Sequence, residues 1–427
     1  MERVEIDHSP LKTVVGTAAG PIGQPWITVL IDYYSRMITG FCVGFEPPSY
    51  AVIMEALRQA ILPKTGLRAR PPAIVGEWPC YGVPEKIVCD RGSDFTSRDL
   101  EQAAFQLGIE LDFMPPRMPH LKGTVESFFD TLNDQLVSAL PGRTFRSWQE
   151  RADHNADLGP FLPYEALVEI IQIHLTDVYA VSKHPTTAQT RLEMWQESAA
   201  EFPPCLPASP DELVVLLAKR VDRMLSVRGI ELGGMFYQCD ELMALRAELA
   251  VNNLPCDRLQ VRYNPWDLGE AWVLNPLTRQ HIRVPAVDTA LQGMTEYQWR
   301  VLKRAIRERF DEPEHVLSLA AARNSIRDLA EAAMTTPSPK RRVRAARLLQ
   351  PPLSSAPSES TESSEPLDSS YELSRDAMVA PADSDMSRLG ALPQGQELPS
   401  TPQRPDDRNL PESDPFDLDV EDWGVAC

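Results

Sequence analysis

The chain has 427 residues, 43% hydrophobic and 24% charged, enough for two or three domains with proper cores. No apolar run is long enough to span a bilayer, nothing reads as a signal peptide, and the seven cysteines show no C-x-x-C pair; this argues against a secreted disulfide framework or a zinc site and for a cytoplasmic protein. The net charge of −19 is uneven: residues 351–427 carry 17 Asp and Glu against four Arg, leaving −6 for the first 350, so acidity does not exclude nucleic-acid binding by the folded part.

In chain order, Val4-Glu5-Ile6 reads as a short strand closed by Asp7. Trp26–Ile31 and Ile38–Phe45 are β-rich runs around a hairpin turn, Asp32-Tyr33-Tyr34-Ser35-Arg36. Val52, Ile53, Ala56, Leu57 and Ala60 have helical spacing, and Pro63 ends that helix. Ile87–Cys89 is a short buried strand, Ser97–Leu107 a helix and Ile109–Phe113 a strand. Three prolines between 115 and 119 exclude regular structure there. After Gly123, apolar residues at 125, 128, 129, 132 and 136 mark an amphipathic helix, and helical patterns return at Tyr164–Leu175 and Thr187–Ser198. Three strands, then helix, strand, helix, strand and helix, is the order of an RNase H-like α/β core with a mixed five-stranded sheet. In that fold the first and fourth strands are neighbours, which sets Asp7 beside Asp90.

Pro203, Pro204, Pro207 and Pro210 mark a linker between a core at 1–202 and a second domain at 211–288. The second domain has short strands within Arg223–Gln238, a helical insert at Asp240–Asn252, and strands at Leu259–Tyr263, Ala271–Leu274 and His281–Val284, which together suggest a small β-barrel. Arg220, Arg223, Arg228, Arg262, Arg279 and Arg283 give it a basic side. A basic helix over Glu296–Phe310 and a further one over His315–Ala333 are expected to form a helical arm at 295–334. From 335 a basic cluster (Lys340 to Arg347) leads into a Pro/Ser-rich acidic stretch, so 335–427 is expected to be a disordered tail. Its end, Phe416 to Trp423, alternates apolar and acidic residues, the composition of a peptide that orders on a partner.

Thirty-five residues separate Asp90 from Glu126, and Asp7 supplies a third carboxylate. Two acids at strand ends and one on a helix suit a pair of magnesium ions for phosphodiester chemistry, since hard divalent cations take oxygen ligands. A lone Asp or Glu is more often a solvated or capping carboxylate; the phrases around Asp90 and Glu126 weigh against that here. Asp32 competes with Asp7 but opens the turn at the far end of the adjacent hairpin strand. Asp130 and Asp134 follow Glu126 at i+4 and i+8, and a solvated helix face accounts for them. His8 and His120 flank these acids and are left out of the metal site, because a lone histidine is more often a structural hydrogen-bonder.

The phrases Cys89-Asp90-Arg91-Gly92-Ser93-Asp94-Phe95 and Pro119-His120-Leu121-Lys122-Gly123-Thr124-Val125-Glu126 resemble the DDE transposase and retroviral integrase catalytic core. Val4 to Leu11 and Ile31 to Arg36 resemble its TniA/TnsB branch, and Val261-Arg262-Tyr263-Asn264-Pro265-Trp266-Asp267 the β-barrel that follows the core in Mu-type transposases. The resemblance covers about residues 1–335. It implies 3′-end cleavage of transposon DNA and its joining to target DNA, with Asp7, Asp90 and Glu126 holding two Mg²⁺ ions, Mn²⁺ substituting. It also implies a bacterial, nucleoid-associated enzyme that acts as a homo-multimer on paired ends, with an AAA+ ATPase that selects the target.

Arg117, Lys122, Arg262, Arg300, Lys303, Arg304 and Arg307 are the candidate DNA contacts, through phosphate neutralisation. Phe416, Leu418, Val420 and Trp423 are the candidate partner contacts, on the ATPase. Members of the family carry end-reading helix-turn-helix-type domains ahead of the first catalytic strand, whereas Asp7 lies six residues from Met1; a truncated reading frame is therefore expected. Two rivals remain: an RNase H-fold nuclease that hydrolyses without joining, and a truncated, non-catalytic regulator that keeps multimer and ATPase contacts.

Overall fold

The computed structural model describes residues 1–17, 20–64, 73–90, 92, 95–114, 123–140, 161–207, 209–309 and 338–349, with single positions at 324, 328, 330, 332 and 334. All of these belong to one compact unit.

The first lobe is built on a five-stranded sheet. Its strands are β1 (Arg3–Pro10), β4 (Trp26–Asp32), β5 (Ile38–Gly44), β6 (Lys86–Cys89) and β7 (Glu110–Phe113), in the spatial order β5-β4-β1-β6-β7. β4 runs antiparallel to β1 and β5, whereas β1, β6 and β7 are parallel. With strands counted in sheet order along the chain this is 3-2-1-4-5 with the second strand reversed, the RNase H-like arrangement expected from the element order. A small hairpin, β2 (Val15–Thr17) and β3 (Gly20–Gly23), sits between β1 and β4 and is not among the predicted elements.

All seven residues of β5 are buried, as are six of seven in β4, so both faces of the sheet are covered there. Helix α1 (Tyr50–Ile61) lies against β5 and β4, and Gly40 is what lets it approach. A Cβ at Gly40 would overlap the Ala56 carbonyl oxygen and stand 2.8 Å from the Ala60 nitrogen. Gly40→Ala is therefore expected to cost about 1–3 kcal/mol by overpacking, read as a lower urea midpoint at unchanged m-value; an unaltered midpoint would mean that α1 is not seated this closely.

Helix α2 (Arg98–Leu107) begins where Ser97 accepts from Leu100 N and ends on Gly108 in the left-handed region (φ 73°). Helix α3 (Gly123–Gln135) buries Val125, Phe128, Phe129 and Leu132 on the sheet, as the periodicity predicts. Helix α4 (Tyr164–Ile173) continues as a π-helical turn over His174–Tyr179, longer than its pattern suggested. Helix α5 (Arg191–Glu201) starts three to four residues later than expected because Thr190 and Glu193 form a reciprocal capping box.

Ser209, Pro210 and two acids in the first turn open helix α6 (Pro210–Leu217), which starts at the last proline of the expected linker and runs into the segment assigned to the second domain, where no helix was among the expected elements. Its Leu213 and Leu217 belong to the first lobe's core. The second lobe holds a sheet β14-β13-β12-β8 and a smaller one β11-β10-β9, with helix α7 (Asp240–Val251) packed against β14. Here β8 is Lys219–Arg223, β9 Leu225–Ser226, β10 Gly229–Leu232, β11 Met235–Tyr237, β12 Leu259–Asn264, β13 Asp267–Leu274 and β14 His281–Pro285. The two sheets share one core with Ile230, Tyr237, Val261, Tyr263 and Val273 fully buried, and a bridge between Tyr237 and Ala286 ties them.

Two expectations for the C-terminal part are corrected. Helix α8 (Glu296–Arg309) is not a free arm at its start: Tyr297, Trp299, Val301 and Leu302 are buried in the second core, and Trp299 Nε1 donates to the Gly233 carbonyl at 3.0 Å. The tail does not begin at 335, because Pro339–Leu349 is helix α9. Ala345, Ala346 and Leu348 are buried, the Arg347 guanidinium pairs with Glu46, and it stacks 3.7 Å over the Tyr297 ring. Basic residues dominate that stretch of sequence and mask the apolar stripe beneath them. Most of the helix expected at 315–333 and all of 350–427 lie outside the described residues.

Candidate catalytic centre

The centre is set by one register. β1 and β6 pair in parallel with Val4 opposite Ile87 and Glu5 opposite Val88. Continued by two residues, that register sets Asp7 opposite Asp90. β6 ends at Cys89, so Asp90 is exposed at the start of the following turn, where its Oδ1 accepts from Gly92 N at 2.8 Å. Asp7 is half-buried, and its Oδ1 accepts from His8 N at 2.9 Å.

His8 follows Asp7 in β1 and falls on the other face of the strand. Its ring stacks on Phe95 (centroids 4.7 Å apart, 18° between planes), and its Nδ1 lies 2.6 Å from Thr28 Oγ1.

Glu126 lies in the first turn of α3 and is exposed at the edge of its buried stripe. What holds that turn in place is Glu5, a residue the sequence reading passed over. Glu5 is fully buried; its Oε2 accepts from Val125 N at 3.2 Å, and its Oε1 pairs with Arg3 Nη2 at 3.1 Å. Residues i and i+2 of a strand share a face, so Glu5 anchors α3 on the face of β1 that also carries Asp7. The available signal was the alternation itself, with acids at 5 and 7 between the buried Val4 and Ile6. Glu5→Gln is expected to cost about 1–3 kcal/mol, because a charge-assisted bond to a buried amide is lost. Urea unfolding checks this, and an unchanged midpoint would remove Glu5 from the support of α3.

The three acids thus occupy adjoining elements. Among the described residues, no three His, Cys, Asp or Glu side chains are grouped closely enough to hold one metal ion. The donor chemistry nonetheless suits a hard divalent cation: all three candidates are carboxylates, with no thiol or imidazole required among them.

The candidate DNA contacts fare differently. Arg117 and Lys122 lie outside the described residues, as do Phe416, Leu418, Val420 and Trp423. Arg300, Lys303 and Arg304 are half-buried on α8, with Arg300 Nε 4.0 Å from Glu296 Oε1; the Arg307 side chain is outside the description. Arg262 is a correction. It is only 2% exposed, and its guanidinium donates to the Val215 and Leu216 carbonyls (2.9 and 2.8 Å) and to Gln106 Oε1 (2.6 Å). It is a clamp between the lobes, with no surface left to offer a phosphate. Its strand position could not reveal this, because the groups it satisfies come from α6 and α2. Tyr50 Oη on the Leu217 carbonyl (2.6 Å) and Trp266 Nε1 on the Ala51 carbonyl (2.9 Å) complete the same seam.

Residues 5–142 match the TnsB C-terminal domain and residues 214–283 the Mu transposase C-terminal domain. The chain is similar to the transposase for transposon Tn552 of Staphylococcus aureus (31% identity over 267 residues, 62% of this chain and 50% of that protein). It is similar also to the Tn7 transposition protein TnsB of Escherichia coli (30% over 248 residues, 52% of this chain and 34% of that protein). It therefore spans about half, or less, of the length of these curated relatives. Solved structures that align with it include a simian T-cell lymphotropic virus intasome in complex with the PP2A regulatory subunit B56 gamma (14% identity, 66% of this chain and 76% of that one, TM-score 0.32). Another is the catalytic core domain of BIV integrase (16% identity, 47% and 97%, TM-score 0.28). No helix among the described residues is long and apolar enough to cross a membrane. On its two domain matches and its two relatives, the chain is similar to the TnsB-type transposases.

Proposed function

We propose that this chain joins transposon 3′ ends to target DNA at a metal-dependent centre formed by Asp7, Asp90 and Glu126. The observation that supports the reading is the β1–β6 register, which pairs Glu5 with Val88, two residues before Asp7 and Asp90 respectively, while Glu5 accepts from Val125 N in the first turn of α3. Asp7, Asp90 and Glu126 would hold Mg²⁺ or Mn²⁺, which supplies Lewis-acid activation of phosphodiester and hydroxyl oxygens.

In cleavage, water attacks the phosphodiester at the transposon end and frees a 3′-hydroxyl. In joining, that hydroxyl attacks a target phosphodiester: a P–O bond to the transposon 3′ oxygen forms, the target P–O3′ bond breaks, and the target 3′ oxygen leaves and takes up a proton. The phosphorus is passed directly between oxygens, so no side chain needs to become a covalent nucleophile. Asp7 on β1 and Asp90 just past the end of β6 would hold one side of the centre, while Glu126 would close it from the helix. Lys303 and Arg304 on α8 are proposed contacts for the DNA backbone. A homo-multimer on paired ends and an AAA+ ATPase are the proposed partners, the latter on Phe416, Leu418, Val420 and Trp423.

The experiment that separates this reading from a nuclease on the same fold gives the purified chain labelled, pre-cleaved ends and supercoiled plasmid with Mg²⁺ or Mn²⁺. Covalently joined product is expected. Plasmid nicking without any joined product would favour the nuclease.

A further inference from the structure

A cavity of about 330 Å³ lies on the flank of α3 away from Glu126, between its first two turns, the start of β1 and the β4–β5 hairpin. Three guanidinium groups line it, from Arg3, Arg36 and Arg191, against a single carboxylate, Glu5. Both Glu5 oxygens are engaged, by Arg3 and by Val125 N, so the site keeps an excess of positive charge.

We infer that this cavity is a phosphate pocket, in which Arg36 and Arg191 together with the first turn of α3 hold one phosphodiester of bound DNA. Arg191 is 92% buried, because only 8% of it is exposed. Its Nη1 is bonded to the carbonyls of Tyr179, Ser182 and Lys183 and to the Ser182 hydroxyl, which fixes the group in place. Its Nε is buried with no hydrogen-bond partner among the described residues, and so is Nη1 of Arg36. Buried donors of this kind are costly unless something accepts from them.

The helix end adds to the pull. Gly123, Thr124 and Ser127 line the cavity, and the start of a 13-residue helix carries partial positive charge that suits an oxyanion. Tyr33 lies between two guanidiniums, Arg3 at 4.2 Å and Arg36 at 4.7 Å from its ring, and it remains 42% exposed beside Tyr34 at 57%. Exposed aromatics next to a cationic groove favour a nucleic acid over a free anion, because bases stack on them. Arg36 also has φ 63°, a left-handed conformation that a glycine would adopt without strain. The positive field reaches the neighbours: burial, and then the Arg36 and Arg191 charges, push the His184 imidazole below its usual range.

This inference rests on the DNA-joining reading, and its test is built so that the two can fail separately. Arg36→Gln is the informative variant, since Arg191→Gln would also cut the bonds that hold the 179–183 turn. Binding of a labelled duplex is followed by anisotropy over a series of salt concentrations. Arg36→Gln is expected to make the slope of log K against log[salt] shallower by about 1, the value of one phosphate contact. In parallel, inorganic phosphate at constant ionic strength should raise the thermal midpoint of the wild-type chain, and less so that of Arg36→Gln. A folded Arg36→Gln with the wild-type slope overturns the inference; if the wild type joins DNA normally, the joining reading survives. A phosphate-dependent shift in midpoint without a change in slope would assign the pocket to a free anion instead. Failure of the wild-type chain to bind DNA at all would overturn both.

Discussion

Asp7→Asn and Asp90→Asn are each expected to lower strand joining by about 10³-fold or more, since metal-assisted charge stabilisation is worth several kcal/mol and each 1.36 kcal/mol is tenfold in rate. Neither acid is fully buried, and each accepts a local backbone N–H that an amide oxygen also accepts. The unfolding midpoints of both variants should therefore stay close to wild type, and the loss should be in activity alone. Asp32→Asn is the contrast. Asp32 is 5% exposed, and its Oδ2 accepts from the amide and the hydroxyl of Ser35 inside the hairpin turn. Burial pushes its carboxyl above the ordinary range, the opposite of what a metal ligand needs. Joining should survive in Asp32→Asn to within a few fold. Equal losses at positions 7 and 32 would undo the assignment made from the β1–β6 register.

Arg262→Ala is expected to destabilise the chain by about 3 kcal/mol or more, the largest structural effect proposed here. The substitution removes charge-assisted bonds to the last carbonyls of α6 and to Gln106, and it leaves those acceptors facing each other in a dry seam. A cation at the C-terminal end of a helix also favours the helix dipole, and that contribution is lost too. Urea unfolding should show the loss, whereas the salt dependence of DNA binding should keep its slope. The reverse pattern, normal stability with a shallower slope, would return Arg262 to the DNA surface where its sequence neighbourhood placed it.

That contrast shows what kind of information a single sequence carries. Asp90 was legible because it ends the apolar run Ile87-Val88-Cys89 and opens a distinctive turn phrase. Glu126 was legible because it stands at the start of a helix with clear apolar periodicity. The pairing of the first and fourth strands followed from element order, since few sheet topologies accommodate it. Side chains whose role depends on a distant partner were not legible. Glu5 looked like the polar half of an alternating strand, yet it is fully buried because Val125 N and Arg3 come to it from elsewhere. Arg262 looked like one of several basic residues on a β-domain, and the carbonyls it satisfies lie some 46 residues away in sequence.

Helix α9 was missed for a related reason. Its charge obscured Ala345, Ala346 and Leu348, which are buried only because two lobes meet around them. By contrast α6 carries a local signal, Ser209, Pro210, Asp211 and Glu212, although no helix is among the elements expected there.

The central claim is that Asp7, Asp90 and Glu126 act as one metal-dependent joining centre, and joining itself tests it most directly. Pre-cleaved, labelled ends and plasmid are incubated with the wild-type chain and with Glu126→Gln, in Mg²⁺ and again after chelation. Joined product that requires the metal and disappears in a folded Glu126→Gln is the predicted result. Joining that persists at wild-type rate in Glu126→Gln, or that is indifferent to chelation, would contradict it.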